Sequence, residues 1–343
     1  MNLLSWGILG TGRIGGVFAR QLSQSKTGKL AAVGSRSRAS ADKFAAEYRV
    51  PRSYSTYEAL LTDSHVQAVY IATPHSLHAE WCLKAAKAGK HILCEKPLTL
   101  NHIEALVVVD AVRKHDVFLM EAFMYRCHPQ TAKLVELLRE KVIGEVRVIH
   151  ASFGFHRDFN PEARLFKNAL GGGGILDVGC YTVSMSRLVA GIATGKPFAD
   201  PIEVKGCGHL SPTGVDTWAT ASLKFPGDIL ATLATSVEVQ QHNTVRIYGT
   251  NGNIFVPAPW TQINDGTTTR LFVERKGEPQ QEIIVESTQP AYAIEADHVA
   301  AHIEQRQAPA MNWNDSLGNM QTLDRWRKSI GLIYEPEKAA GII

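Results

Sequence analysis

Four short stretches of this sequence carry side chains whose types and spacing suit chemistry. The first is Gly10-x-Gly12-x-x-Gly15, which closes the apolar run Leu3 to Leu9. Glycine at the first position permits a tight turn. At the second it lets a pyrophosphate approach the backbone, and at the third it lets a helix pack on the strand. The N–H groups that open the following helix, with its dipole, then bind the anion. Gly10, Thr11, Gly12, Arg13, Ile14 and Gly15 are therefore expected to line a dinucleotide site; the plain alternative is a glycine turn that binds nothing. The second stretch is Ser35-Arg36-Ser37-Arg38, where an NAD site usually places an acid on the ribose. No carboxylate follows until Asp42. Two guanidinium forks and two hydroxyls suit a 2′-phosphate, so Ser35, Arg36, Ser37 and Arg38 point to NADP rather than NAD; the plain alternative is a solvated arginine pair, with NAD bound without its usual acid.

The third stretch is a pair of loops, Ala72-Thr73-Pro74-His75 with His78, and Glu95-Lys96-Pro97. Both follow apolar runs, and ligands of parallel sheets gather at the carboxyl ends of strands. His75 and His78 are candidate contacts, or else capping and solvated groups. A buried strand ending in Glu-Lys needs partners for both charges or access to water. Lys96 would project where nicotinamide and substrate meet; the bland reading is a surface ion pair. The fourth stretch pairs Asp177 with Tyr181 after Gly171-Gly172-Gly173-Gly174. Their i, i+4 spacing puts both on one helical face near its start, where the dipole favours a carboxylate. Tyr181 could also be an ordinary core residue. Four glycines cost folding entropy, which close approach to a cofactor or substrate would offset.

The elements that must position these groups follow from periodicity. Up to residue 122 the apolar runs Leu4–Leu9, Leu30–Val33, Ala68–Ala72, His91–Cys94 and Val117–Met120 alternate with helical patterns. The helices lie near 14–24, 39–48, 76–88 (with Ser76 as N-cap) and 101–114. Such alternation predicts a doubly wound parallel sheet covered on both faces. Beyond Glu121 the pattern changes to a helix over Thr131–Lys141, a strand over Glu145–Phe155 and a helix reaching Leu188. Short runs near 202–210, 216–225, 229–239, 243–249, 252–256, 269–275 and 281–286, punctuated by turns, predict a mostly antiparallel sheet. Helices over Tyr292–Glu304 and Asn314–Ile330 end the chain. The expected architecture is an α/β dinucleotide-binding Rossmann domain over 1–122 and an α+β domain with a large, mostly antiparallel open sheet over 123–343. The second domain would serve substrate binding and oligomerisation. A sheet covered on one face leaves the other free to pair, which predicts a homodimer or a dimer of dimers.

Composition narrows the function classes. The 343 residues carry a net charge of +3, from 36 basic and 33 acidic side chains. No basic cluster is interleaved with aromatics, so nucleic acid is not an expected partner. Cys82, Cys94, Cys127, Cys180 and Cys207 are odd in number and widely spaced, which argues against a disulfide framework and against a zinc or other metal site. Buried free thiols are expected. No charged leader precedes the first strand, and no apolar run approaches the roughly 20 residues of a membrane helix. A cytoplasmic protein with no membrane partner is expected.

Taken together, Gly10-x-Gly12-x-x-Gly15, the Ala72-Thr73-Pro74 loop with His78, Gly89-Lys90-His91 and Glu95-Lys96-Pro97 resemble the glucose–fructose oxidoreductase / inositol dehydrogenase family. Within it the likeness is to the NADP-dependent branch of dimeric dihydrodiol and D-xylose dehydrogenases. The resemblance implies NADP-dependent hydride transfer between the nicotinamide and a CH–OH or C=O group. The implied substrate is polyhydroxylated: an aldose such as D-xylose or D-glucose, or a trans-dihydrodiol. It places Tyr181 at the acid/base position, where inositol dehydrogenases have His, and Asp177 four residues before. A free tyrosine has a pKa of about 10; a nearby Lys96 ammonium would favour the phenolate and could donate to a developing alkoxide. Asp177 would bind a second hydroxyl or hold Lys96.

The resemblance also puts Arg126 and Pro129 in a crossover segment near the substrate, although Arg126 could equally anchor the interdomain joint. Tyr125 and Phe155, with Phe123 and Phe153, could line the pocket or belong to the core. The terminal helices would pack back toward the first domain. A sugar transhydrogenase that retains NADP is the second reading. An inactive NADP-sensing regulator would require loss of Lys96 or Tyr181, and both are present.

Overall fold

The structure is a computed structural model that describes residues 3–260 and 268–341. The chain begins β1 (Leu4–Leu9), α1 (Arg13–Leu22), β2 (Gly28–Gly34), α2 (Arg38–Tyr48), β3 (Arg52–Tyr54) and α3 (Tyr57–Leu61). It continues with β4 (Ala68–Ile71), α4 (His78–Lys87), β5 (His91–Glu95), α5 (His102–Lys114), β6 (Leu119–Ala122) and α6 (Met124–Cys127). Then come α7 (Pro129–Arg139), β7 (Val146–Gly154), a π-helical turn (Ile175–Gly179) and α8 (Cys180–Ala193). Seven strands follow: β8 (Glu203–Leu210), β9 (Asp216–Phe225), β10 (Ile229–Ser236), β11 (Val245–Gly249), β12 (Gly252–Val256), β13 (Thr268–Arg275) and β14 (Gln281–Glu286). The chain closes with α9 (Ala291–His302), α10 (Trp313–Ser329) and α11 (Glu335–Ala339). It divides into two compact units. The first runs to His128 and takes in Thr288–Leu317; the second holds most of the remainder, including residues from Gly318 onward.

The first unit is an α/β Rossmann fold. Its sheet has the order β3-β2-β1-β4-β5-β6, and every pair is parallel. The chain moves outward from β1 to β3, then restarts on the other side at β4. The loops after β1 and β4 therefore open at the reversal point, where such sheets bind ligands. β1 and β4 are buried along their whole length, as expected of strands with helices on both faces. Phe18 of α1 stacks on Tyr70 of β4 at 3.9 Å and meets Trp6 of β1 edge-on at 5.4 Å, which fixes α1 on the sheet. The short β3 and α3 have no counterpart among the sequence expectations, because three residues cannot display an alternation. Ser76 lies inside a 3-10 turn (His75–Leu77), and α4 starts only at His78, so Ser76 is not its cap.

The second unit is built on an eight-stranded sheet of order β14-β13-β12-β11-β7-β10-β9-β8. All its pairs are antiparallel except β7 with β10. β9 alternates buried and exposed residues from Thr217 onward, the signature of a sheet covered on one face. That cover includes α8, packed on β7 and β10, and α7, packed on α8, β13 and β14. Asn168–Ala193 is long and apolar enough to cross a membrane by length and composition, contrary to the sequence expectation. Its apolar window is wholly buried inside the protein, which accounts for that composition. Arg187 is completely buried on α8, where Asp200 accepts from it at 2.6 Å and the Phe198 ring lies under its guanidinium.

Candidate functional site

In the first unit, the glycine loop is shaped by what its side chains would strike. A Cβ on Gly10 would come within 2.6 Å of the Ala72 carbonyl oxygen, and Gly10 sits at φ +114°. A Cβ on Gly15 would meet the Gly10 carbonyl oxygen at 2.7 Å. These two glycines close the turn and seat α1. Gly12 differs: a Cβ there meets nothing within 4 Å. Gly12 is also the N-cap of α1, no side chain caps that helix, and no acid stands in its first turn. An uncapped helix start facing open space fits a pyrophosphate. Arg13 is exposed beside it, while Ile14 is half-buried.

The loop after β2 lies alongside. The Thr11 and Ser35 hydroxyls are 3.3 Å apart, which joins the two loops. Ser37 is the N-cap of α2, its side chain accepting the Ser40 N–H. Arg38 donates to the Ser53 carbonyl at 3.1 Å and to Asp42 at 3.4 Å. Arg36 is exposed, with its guanidinium near the Tyr57 hydroxyl. Of the four residues, Ser37 and Arg38 thus hold α2 in place, while Ser35 and Arg36 face the glycine loop and solvent respectively.

Ala72 and Pro74 are half-buried, and Thr73 and His75 are buried. His78 is completely buried, with Nδ1 at 2.8 Å from the Pro97 carbonyl and Nε2 at 2.9 Å from the Thr73 carbonyl. His78 therefore ties the loop after β4 to the loop after β5. Glu95 ends β5 buried, accepting from the Tyr70 hydroxyl and from the Lys96 backbone N–H. Lys96 is half-buried and is followed by a cis peptide to Pro97. Glu121 holds the far side of this loop, accepting the Leu98 N–H at 2.8 Å.

Glu295 of α9 lies behind, completely buried, with neither oxygen hydrogen-bonded. Burial, with the neighbouring Glu95 charge, pushes its carboxyl well above the usual range. Arg126 is bound to Asp315 at 2.6 Å in a buried ion pair, a structural partner that the sequence pattern does not reveal. Tyr125 is fully buried, edge-on to Phe123.

In the second unit, Gly172, Gly173 and Gly174 approach protein rather than open space. A Cβ on Gly172 would strike the Leu165 carbonyl at 2.6 Å, and one on Gly173 would come within 2.2 Å of Asp216 Oδ1. The expectation that these glycines make room for cofactor or substrate is corrected: they make room for Asp216 and for the 164–165 backbone. The π-turn and α8 then present Asp177 and Tyr181. Asp177 accepts from Arg164 at 2.8 Å. Tyr181 lies between aromatic neighbours, Phe153 at 5.2 Å and Trp260 at 5.8 Å, and those two rings stack nearly parallel. Phe155 is half-buried, with the Arg157 guanidinium near its ring. Arg164, Trp260 and Asp216 had no sequence signal, since each meets the motif only through the fold. Among the described residues no cluster of His, Cys, Asp or Glu is arranged to hold a metal ion.

Comparison with known proteins covers nearly the whole chain. Residues 4–123 match the family profile described as an oxidoreductase family with NAD-binding Rossmann fold, and residues 131–255 match the GFO/IDH/MocA C-terminal domain. A trans-1,2-dihydrobenzene-1,2-diol dehydrogenase from Xenopus laevis is 32% identical, over 96% of this chain and 98% of its own. A D-xylose 1-dehydrogenase (NADP(+)) from Haloferax volcanii is 32% identical, over 94% of this chain and 95% of its own. Among solved structures, a 3-ketoreductase from Actinomadura kijaniata, in complex with TDP-benzene and NADP, superposes with a TM-score of 0.84 at 26% identity. It covers 96% of this chain and 98% of its own. A matching profile for each unit and relatives aligned end to end lead to one conclusion: this chain is an oxidoreductase of the GFO/IDH/MocA family.

Proposed function

We propose that the protein is an NADP-dependent dehydrogenase or reductase of CH–OH groups in a polyhydroxylated small molecule. An aldose such as D-xylose or D-glucose and a trans-dihydrodiol are the favoured substrates. The observation that carries this reading is the pairing of Asp177 and Tyr181 on one helix, with the phenol set among Phe153 and Trp260. The names of the Xenopus and Haloferax relatives support the substrate class. The exposed Arg36 and the absence of an acid after β2 support NADP, as does the NADP bound in the Actinomadura structure. Residues 1–122 would hold the cofactor, and 123–343 the substrate and a second copy of the chain.

When bound, the nicotinamide supplies or accepts the hydride. Gly12 and the α1 N-terminus hold its pyrophosphate, with Thr11 and Arg13 at the loop's edge. Arg36 takes the 2′-phosphate, with Ser35. Ala72, Thr73, Pro74 and His75 would lie beside the cofactor's nicotinamide half. Tyr181 passes a proton between its phenol and the substrate oxygen. Lys96 is the proposed electrostatic partner of this step, a cation that would donate to the substrate oxygen as it gains charge. Asp177 would accept from a neighbouring substrate hydroxyl, held in place by its bond from Arg164. Glu95 and His78 shape the loop that carries Lys96.

A panel of aldoses and trans-diols scanned for NADP⁺ reduction, repeated with NAD⁺, tests the reading. Tyr181→Phe and Lys96→Ala should each lose at least about 100-fold in kcat, the scale of a proton-transfer group, while NADPH binding persists. Turnover by Tyr181→Phe at the wild-type rate would remove the assignment.

A further inference from the structure

A phenol on a helix is aimed only as well as the first turn of that helix is held. The turn before α8 opens as a π-turn with no side-chain cap of its own. It is buried, so its leading N–H groups need a protein acceptor. Asp216, the first residue of β9, supplies one. Its Oδ2 accepts the Ile175 N–H at 2.7 Å. The fit is steric as well, because Gly173 at φ +104° leaves space that a Cβ would take from Oδ1. Thr235 holds the same turn from β10, its hydroxyl donating to the Gly174 carbonyl at 3.0 Å. We propose that Asp216 is a positioning residue for the reaction: its carboxylate grips the turn that carries Asp177 and leads to Tyr181, and so aims the phenol at the substrate. This rests on the assignment of Tyr181 to proton transfer.

A neutral amide of the same shape could brace a purely structural turn. Asp216 is instead a fully buried acid. Burial pushes its pKa up to about 7, against the pull of the nearby backbone N–H groups and of the Arg327 charge. The groups facing it are Arg327 from α10 and Tyr334 ahead of α11, with Asp177 and Glu337 acting on Tyr334. The ionised carboxylate is the stronger acceptor, so the grip loosens as pH falls through about 7. Stability runs the other way. The folded pKa lies above the ordinary 3.8, so the folded chain holds this proton more tightly than the unfolded chain does. The group's contribution to stability is therefore complete at low pH and is lost as pH rises toward about 7. A positioning role predicts that removing the charge lowers turnover without lowering the melting temperature above neutrality.

The experiment compares wild type, Asp216→Asn and Tyr181→Phe by NADPH fluorescence titration, thermal melting and kcat across neutral pH. Asp216→Asn should bind NADPH as wild type does and melt no lower than wild type at about pH 8. It should lose about 10-fold in kcat there, the cost of a misaimed proton transfer, and should lack the acid limb that wild type shows near neutrality. Wild-type kcat and an unchanged limb in Asp216→Asn, with Tyr181→Phe inactive, would overturn the proposal. So would a parallel fall in melting temperature and kcat. Full turnover by Tyr181→Phe would instead sink the assignment on which the proposal rests. If Asp216→Asn does not fold, Thr235→Val carries the test. It should lower kcat several-fold with the limb retained, and an unchanged kcat in that folded variant would overturn the proposal.

Discussion

Arg36 and Arg38 leave the end of one strand with different duties. Arg38 spends part of its fork on Ser53 and Asp42, tying α2 to β3. Arg36 stands exposed beside Tyr57. A hydrogen bond to a charged group contributes roughly 1.5–3 kcal/mol, or about 10- to 100-fold in binding. Arg36→Ala should therefore raise KM for NADP⁺ by about 10- to 100-fold and change kcat/KM for NAD⁺ by less than about 3-fold. Arg38→Ala should cost less in cofactor selectivity and more in melting temperature. Equal losses with both cofactors for Arg36→Ala would remove its phosphate role. Both arginines were legible in the sequence, but their division of labour was not. Arg38 meets Ser53 only once β3 has formed, and three residues of strand leave no periodic trace. Arg126 is a similar case, because its partner Asp315 lies 189 residues away.

At the scale of elements, the glycine loop separates folding from binding. Gly12 has φ −77°, which alanine adopts freely, and a Cβ there meets nothing within 4 Å. Gly12→Ala should leave stability within about 0.5 kcal/mol, as for an open surface position. Its methyl would occupy the approach to the backbone, so NADPH affinity should fall at least about 10-fold, checked by fluorescence titration. Gly10→Ala combines positive φ with a 2.6 Å collision against the Ala72 carbonyl. It should destabilise by about 1–3 kcal/mol for backbone strain alone, visible as a lower melting temperature. A Gly12→Ala protein that binds NADPH normally would mean the helix start is not the anion site. The motif itself announced this loop, and the seven strands β8 to β14 were legible because alternation and turn residues coincide there. The π-turn and the role of the glycines were not. Their acceptor, Asp216, lies 41 residues from Ile175 and opens a strand whose pattern suggests only pairing.

For the whole molecule, the open question is what covers the outer face of the eight-stranded sheet. Helices α7 and α8 lie on its inner face. The outer face presents Trp218 at 40% exposure and Leu230 at 50%, with His209 stacked flat on Trp218 at 4.1 Å. Trp218 and Leu230 lie on neighbouring strands β9 and β10, at opposite ends of the pairing. A second copy of the chain is the occupant expected here, because a two-fold pairing makes one face complementary to itself. Every substitution then enters the interface twice. A tryptophan at the centre of an interface is worth about 2 kcal/mol or more, and Trp218→Arg would also bring two like charges together. Wild type should sediment as a dimer at micromolar concentration, and Trp218→Arg combined with Leu230→Lys should sediment as a monomer. NADPH affinity should stay at the wild-type value, since neither residue belongs to the glycine loop or to the Ser35–Arg38 segment. A wild-type monomer, or a dimer indifferent to both substitutions, would show that this face pairs with no second copy.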